Sequence, residues 1–325
     1  MRSRSLVFKG VTLNIEQPDC LGGLELDEML DGLVSIRPHE ADTQGPLQLS
    51  VQLIENRTAL VPEGVSLFVA EGFRGVENDQ DFCLTDGSST LYLRSGNNRA
   101  VANIAPSFFA KERQIKHTFW AYAILKLLRT CGFYSLHAAG LIAPAGWGVL
   151  IAGPSGCGKS TLTLGMIRKG WSALSDDAVL LCAEPDGVKA LALRKYLYID
   201  VASQQNSDLP DGSKQIEHSG RCRRKFTIEE LYPGQASSES APADVLIFPR
   251  IVQDVQSSMA PLDDSSALRQ LLLASGPQLF DRRTLAGQFE ILKLLLRQAR
   301  PYQLRAGLDL YHEPAILEEL LERRS

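Results

Sequence analysis

The chain has no apolar run long enough to cross a bilayer. Its start, Met1-Arg-Ser-Arg-Ser-Leu-Val-Phe-Lys9, is basic, but Leu6-Val7-Phe8 is too short for the apolar core of a secretory signal. The six cysteines, Cys20, Cys83, Cys131, Cys157, Cys182 and Cys222, are scattered and form no C-x-x-C pair. That spacing argues against both a zinc site and a disulfide framework. A global basic field is also missing: the formal net charge is −4, so bulk charge gives no reason to expect nucleic acid. Internal repeats and low-complexity tracts are absent. The expectation is a soluble cytoplasmic protein with reduced thiols, with neither membrane nor nucleic acid as a partner. What is present is ordinary globular composition: 325 residues, 44% hydrophobic and 22% charged, enough for two domains or one large one.

Against this background one stretch stands out, Gly148-Val-Leu-Ile-Ala-Gly-Pro-Ser-Gly-Cys-Gly-Lys-Ser-Thr-Leu-Thr163. Residues Gly153, Pro154, Ser155, Gly156, Cys157, Gly158, Lys159 and Ser160 fit G-x-x-x-x-G-K-S/T, the phosphate-binding P-loop, with Thr161 following. Val149-Leu150-Ile151-Ala152 reads as a buried strand before it, and Lys159 to Lys169 as a helix after it, with Gly170 at the C-cap. The chemistry accounts for the glycines. Polyphosphate must approach several backbone N–H groups at hydrogen-bond distance, and Gly153, Gly156 and Gly158 keep that approach clear. Lys159 is expected to neutralise the outer phosphates and Ser160 to bind Mg²⁺. Cys157 reads as a small residue at a variable loop position; an oxidisable thiol that blocks nucleotide entry is the sharper alternative.

Residues 1–110 read as a smaller β-rich N-terminal domain, with alternation at Leu47, Leu49, Val51 and Leu53, further strands at 65–69, 90–94 and 99–104, a turn at Ser95–Asn98, and a polar loop over 72–81. From Lys111 the period becomes helical, with Ile115, Phe119, Tyr122 and Leu125/Leu128 on one stripe and Lys116, Lys126 and Arg129 between them. This segment, 111–131, reads as a connecting helix that opens a P-loop domain over 111–325. Tyr134–Ala143 reads as a strand carrying His137, joined by Pro144–Gly148 to the P-loop strand in an antiparallel hairpin. That places His137 beside the phosphate loop, where a structural histidine and a site histidine are both open readings.

Trp171–Leu181 returns as a strand interrupted by Asp176 and Asp177, sixteen residues beyond Ser160. On a regular strand the two carboxylates point to opposite faces. One can serve Mg²⁺ and the other can take the proton from an attacking hydroxyl; a solvated Asp-Asp turn is the bland alternative. Ala190–Val201 reads as a strand containing Arg194 and Lys195, and 203–220 as a polar loop. Between Lys214 and Lys225 five basic residues stand against one acid, so Arg223 and Arg224 read either as phosphate or substrate contacts or as a solvated face. Arg250, at the end of the strand in Ala243–Val252, reads as a phosphate contact or a surface ion pair. Helices are expected near 265–274, 284–300 and 314–324, and a strand at 301–305.

Three segments together, Leu136-His137-Ala138-Ala139-Gly140, Gly153–Ser160 and Gly170-Trp171-Ser172-Ala173-Leu174-Ser175-Asp176-Asp177, resemble the catalytic domain of HPr kinase/phosphorylase and the related P-loop of phosphoenolpyruvate carboxykinase. The chain looks most like the HPr-kinase-like proteins found beside peptide-modification clusters, some of which phosphorylate a serine of a precursor peptide. The resemblance covers about residues 133–182. It implies an α/β fold, a P-loop kinase domain of mixed sheet plus helices. It further implies ATP on Lys159 and the loop glycines, Mg²⁺ at Ser160 with support from a carboxylate such as Asp177, and acceptor activation by Asp176 or Asp177 with His137 close by. Where HPr kinase carries an acidic residue after the P-loop serine, this chain has Thr161, and the Arg-Asn signature of the bifunctional enzyme is not recognisable in 200–260. The kinase core carries over; the HPr substrate and the phosphorylase reaction do not.

The resulting expectation is an ATP- and Mg²⁺-dependent kinase acting on a hydroxyl, with a serine of a peptide or protein as acceptor. Small-molecule or carboxykinase-like phosphotransfer, and a non-catalytic nucleotide sensor, are the alternatives. A homo-oligomer is compatible with the sequence.

Overall fold

Leu47, Leu49 and Val51 alternate with polar residues, and all three lie fully buried on one face of the strand Leu47–Leu53. The computed structural model in which they do so describes residues 1–9, 11–19, 26–34, 45–55, 61–70, 72–78, 81–94, 98–200, 215–218, 221–233, 238–276, 282–314 and 316–322. Most of the turn expected at 95–98 and of the loop expected over 203–220 lies outside the described residues. The chain divides into two compact units, Met1–Phe133 with Pro277–Leu285, and Tyr134–Gly276 with Ala286–Ser325. Among the described residues no helix is long and apolar enough to cross a membrane.

The first unit is built on an eight-stranded sheet. Its strands are β1 (Arg2–Phe8), β2 (Val11–Gln17), β3 (Leu47–Leu53), β4 (Val65–Ala70), β5 (Phe73–Glu77), β6 (Asp81–Thr85), β7 (Thr90–Arg94) and β8 (Arg99–Ile104). They lie in the order β1-β2-β3-β8-β7-β6-β5-β4, with β3 parallel to both its neighbours. The polar loop expected over 72–81 is instead strand β5 with short connections. Phe73 and Val76 are buried there, and pairing with both β4 and β6 satisfies a backbone whose side chains gave little apolar signal.

Helix α1 (Leu26–Asp31) and helix α2 (Arg113–Thr130) belong to this unit as well. Thus the helix expected to open the second domain is grouped with the first. Its Phe119 ring meets Phe73 and Phe108, which ties it to the N-terminal sheet. Lys116, Lys126 and Arg129, expected between the apolar positions, are themselves buried. The Lys126 ammonium sits 3.8 Å over the Phe82 ring, and Arg129 Nε donates to Thr284 Oγ1 at 2.8 Å.

In the second unit the chain runs β9 (Tyr134–Leu136), β10 (Ala138–Ile142), β11 (Gly148–Ala152), α3 (Lys159–Arg168), β12 (Ser172–Ser175), β13 (Val179–Glu184), β14 (Gly187–Ala192) and β15 (Leu197–Asp200). It continues through β16 (Gln215–His218), β17 (Arg221–Phe226), α4 (Ile228–Leu231), β18 (Ser240–Pro242), β19 (Val245–Ile251), β20 (Ser258–Pro261) and α5 (Asp264–Ala274). It closes with α6 (Arg282–Gln298), whose first residues count with the first unit, then β21 (Arg300–Ala306), α7 (Leu308–His312) and α8 (Ile316–Glu322).

A six-stranded mixed sheet, β12-β10-β11-β19-β21-β20, carries the phosphate-loop motif. β10 and β11 form the expected antiparallel hairpin, while β11, β19 and β21 run parallel. Val149 and Ile151 on β11 share a buried cluster with Leu162, Met166 and Ile167 of α3, so burial of one apolar helix stripe presses α3 onto the sheet and fixes the loop between them. A four-stranded sheet, β18-β14-β13-β9, and a three-stranded one, β15-β17-β16, complete the unit. The single strand expected over 190–201 is therefore two strands, β14 and β15, in different sheets.

Candidate functional site

Two chain segments cross from one sheet to another at the same place. β9 pairs with β13 in the four-stranded sheet, and β10 pairs with β12 in the six-stranded sheet. The residue between β9 and β10 is His137; the residues between β12 and β13 begin with Asp176 and Asp177. At such a crossing the ladder is interrupted, so side chains can turn inward and backbone groups need other partners. His137 N–H donates to Ala274 O at 2.8 Å. The Ser175 hydroxyl accepts from the N–H groups of Asp177 and Ala178 at 3.4 and 3.3 Å, which shapes the turn. The two aspartates therefore do not sit on a regular strand: Asp176 is buried at 2% exposure, while Asp177 is about one-third exposed (32%).

The loop meets this crossing from the other side. Gly156 and Gly158 have φ of 85° and 96°, and Gly158 is the N-cap of α3, so both positions need glycine. Pro154, Ser155 and Gly156 are exposed, and Ser160 and Thr161 are half-buried in the first turn of α3. Lys159 is buried, and its ammonium lies 2.8 Å from Gly153 O, 3.1 Å from Pro154 O and 2.9 Å from His137 Nε2. His137 Nδ1 in turn lies 3.2 Å from Asp177 Oδ1, and the other oxygen of Asp177 is 3.3 Å from an Arg194 nitrogen. Ser160 Oγ lies 3.5 Å from Asp176 Oδ2, which also accepts from Tyr198 N–H at 3.1 Å. Thus Lys159, Ser160, His137, Asp176 and Asp177, chosen from sequence, form one connected cluster.

Burial sets the electrostatics. It pushes the Asp176 carboxyl up to about 7, with the neighbouring Asp177 charge adding to the effect. Burial also opposes ionisation of Asp177, but Arg194, then His137 and Lys159, outweigh it and hold that carboxyl below its ordinary range. Burial lowers both the Lys159 ammonium and the His137 imidazolium. Cys157 is buried beneath the loop, where a Cβ added to Gly153 would lie 2.9 Å from its sulfur. Burial raises its thiol pKa, which favours the packing reading over the reactive one.

The three arginines separate. Pro249 packs beside Gly153, where an added Cβ would lie 3.6 Å from the proline ring; Arg250, the next residue on β19, is exposed. Arg223 is near enough for its charge to bear on both Asp177 and Lys159. Arg224 cannot share that side. It pairs across the ladder with Ile199, on the face that buries Leu197, Ile199 and Phe226, so strand alternation turns it away from the carboxylates.

Arg194 and Tyr198 carry contacts that the sequence reading did not assign. Arg194 was legible as a charge directly after the apolar run Ala190–Leu193, the same kind of interruption that marks the Asp pair. Tyr198 contributes a backbone N–H, which leaves no trace in residue type.

No protein-family model matches the chain, and no curated protein matches it. Among solved structures it is similar to the Hpr(Ser) kinase/phosphatase from Coxiella burnetii, at 14% identity over 58% of this chain and 95% of that chain, with a TM-score of 0.31. So slight an overlap transfers no residue roles.

Proposed function

We propose that the chain is an ATP- and Mg²⁺-dependent phosphotransferase whose acceptor is a hydroxyl, with a serine of a peptide or protein as the substrate group. The observation that carries this reading is the junction of phosphate loop and acidic pair: Ser160 Oγ is 3.5 Å from Asp176, and Lys159 reaches Asp177 through His137 in contacts of 2.9 and 3.2 Å. A generic nucleotide pocket needs the loop alone; transfer to a hydroxyl also needs a proton acceptor beside it.

The residues fit a magnesium ion. Asp176 Oδ1 is buried with no hydrogen-bond partner among the described residues, and its carboxylate adjoins the Ser160 hydroxyl. No group of three or more His, Cys, Asp or Glu side chains able to hold a metal occurs among the described residues. An ion here would be held by one or two protein oxygens and by the nucleotide phosphates. Ser160 and Asp176 would hold it, where the sequence reading favoured Asp177, and its contribution would be to neutralise charge on the phosphates.

The remaining work falls to the chain. The Gly153–Gly158 backbone and the N-terminus of α3 bind the phosphates. Lys159 exchanges its resting contacts with Gly153 O, Pro154 O and His137 for phosphate oxygens. The acceptor oxygen forms a bond to the γ-phosphorus as the bond from that phosphorus to the β–γ bridging oxygen breaks, and ADP leaves with the electron pair. The hydroxyl proton passes to Asp177, whose two oxygens are oriented by His137 and Arg194. Arg223, whose charge bears on Asp177 and Lys159, adds positive charge around the transferred group, with Arg250 beyond Pro249 as a second candidate.

The test is a pair of substitutions read by two assays. Lys159→Ala is expected to lower turnover by a factor on the order of 10³ through lost charge stabilisation. Asp177→Asn is expected to leave ATP binding, measured by calorimetry, near wild type while transfer from radiolabelled ATP stops. Full transfer in both variants would remove the mechanism. Tight ATP binding by the wild type, with no transfer to any hydroxyl, would leave a nucleotide sensor.

A further inference from the structure

The three-stranded sheet bears the chain's densest run of cations, Arg221 to Lys225, and alternation sorts them by face. Arg224 and Phe226 lie opposite Ile199 and Leu197, on the inward side. Arg223 and Lys225 belong to the other side, where Lys225 lies opposite Tyr198 and Arg223 lies opposite Asp200, one acid on a strip otherwise basic and aromatic. The Lys225 ammonium stands 3.7 Å from the Tyr196 ring, and the Arg194 guanidinium 6.0 Å from the Tyr198 ring. Two basic–aromatic pairs and Arg223 therefore share this region of β15 and β17. All five side chains are half-buried and keep some solvent access.

This region is attached to the site. Asp176 Oδ2 is approached by Ser160 Oγ from α3 and by Tyr198 N–H from β15. The order across the site is thus phosphate loop, carboxylates, basic–aromatic face. A nucleotide seated on the loop lies on one side of the acidic pair, and a hydroxyl that gives its proton to that pair must come from the other. Whatever carries the hydroxyl then rests on β15 and β17.

We propose that this face receives the acceptor, and that the acceptor is a peptide segment with acidic residues flanking its hydroxyl; the inference rests on the phosphotransferase reading above for the acceptor's role, not for the binding itself. Carboxylates of the segment meet Arg223 and Lys225, and its aliphatic parts lie on Tyr196 and Tyr198. The chain as a whole carries a formal charge of −4, so this cationic face is a local exception. Basic segments are repelled from it, and neutral ones forgo the charge-assisted hydrogen bonds.

Fluorescence anisotropy with three labelled serine peptides, matched except for acidic, neutral or basic flanks, tests the binding on full-length protein with no need for turnover. The acidic peptide is expected to bind at least about tenfold more tightly than the neutral one at low salt, with the gap shrinking as salt screens the charges. Lys225→Glu is expected to erase that preference, whereas Lys293→Glu, a charge reversal on the exposed part of α6, is expected to preserve it. Lys225→Met, which keeps a side chain over Tyr196, guards against misfolding and is expected to weaken acidic-peptide binding alone. Equal affinity for acidic and neutral peptides would overturn the inference, as would a single-stranded oligonucleotide competing as well as the acidic peptide. Selective binding without phosphate transfer would leave the inference standing and remove the kinase reading; transfer without acidic selectivity would do the reverse.

Discussion

Asp176 is unfavourable to the fold that holds it. Its carboxyl is raised from an ordinary value of 3.8 to about 7, first by burial and then by Asp177. An unfolded chain releases this proton near pH 4, while the folded chain retains it until near neutrality. Between those values the native state binds more protons, so this group makes stability fall as pH rises. Asp176→Asn keeps an oxygen for Tyr198 N–H and removes the buried charge. The variant is expected to unfold at higher denaturant than wild type at pH 8, by on the order of 2–4 kcal/mol, and the gap is expected to shrink by about half or more at pH 5 and to close only below about pH 4. Chemical denaturation at the two pH values measures it. A gain of equal size at both would mean that the buried charge is not its source.

At the scale of the element, the sheet crossings explain both what was legible and what was not. The β11–loop–α3 unit was readable because its apolar strand, glycines and helix stripe each follow from a local rule. The β10–β11 hairpin was readable because five residues between two apolar runs leave little other geometry. The meeting of His137 with the Asp pair was suggested by the family resemblance and not by any local rule of the sequence. That meeting depends on two strands changing sheets together, and sheet membership is set by long-range pairing that no window of sequence contains. The same long-range pairing drew β5 out of a polar segment. Gly148 marks one such constraint. A Cβ there would lie 1.8 Å from Pro242 O, where β18 passes the start of β11, and Gly148 N–H donates to Asp244 at 2.8 Å. Gly148→Ala must shift backbone, not a pliable side chain. It is expected to destabilise the protein by about 1–3 kcal/mol and to weaken ATP binding by displacing the strand that leads to the loop; thermal melts with and without ATP report both effects.

For the molecule as a whole, unit membership does not follow chain order. The chain leaves the second unit after Gly276, contributes Pro277–Leu285 to the first, and returns at Ala286. Within the first unit this excursion supplies Thr284, whose hydroxyl accepts from Nε of Arg129, a guanidinium only 1% exposed near the end of α2. A buried cation depends on every acceptor it has. Thr284→Val preserves shape but removes that oxygen, at a cost of about 1–3 kcal/mol, and the loss should register far from it in sequence. Hydrogen exchange measured by mass spectrometry is expected to show faster exchange in the last turns of α2, against the β11 amides as reference. Unchanged α2 exchange would mean that the 277–285 excursion contributes nothing through this bond. Faster exchange would establish that the first turn of α6 secures a helix more than 150 residues earlier, and that the N-terminal unit needs part of the C-terminal sequence to complete its fold.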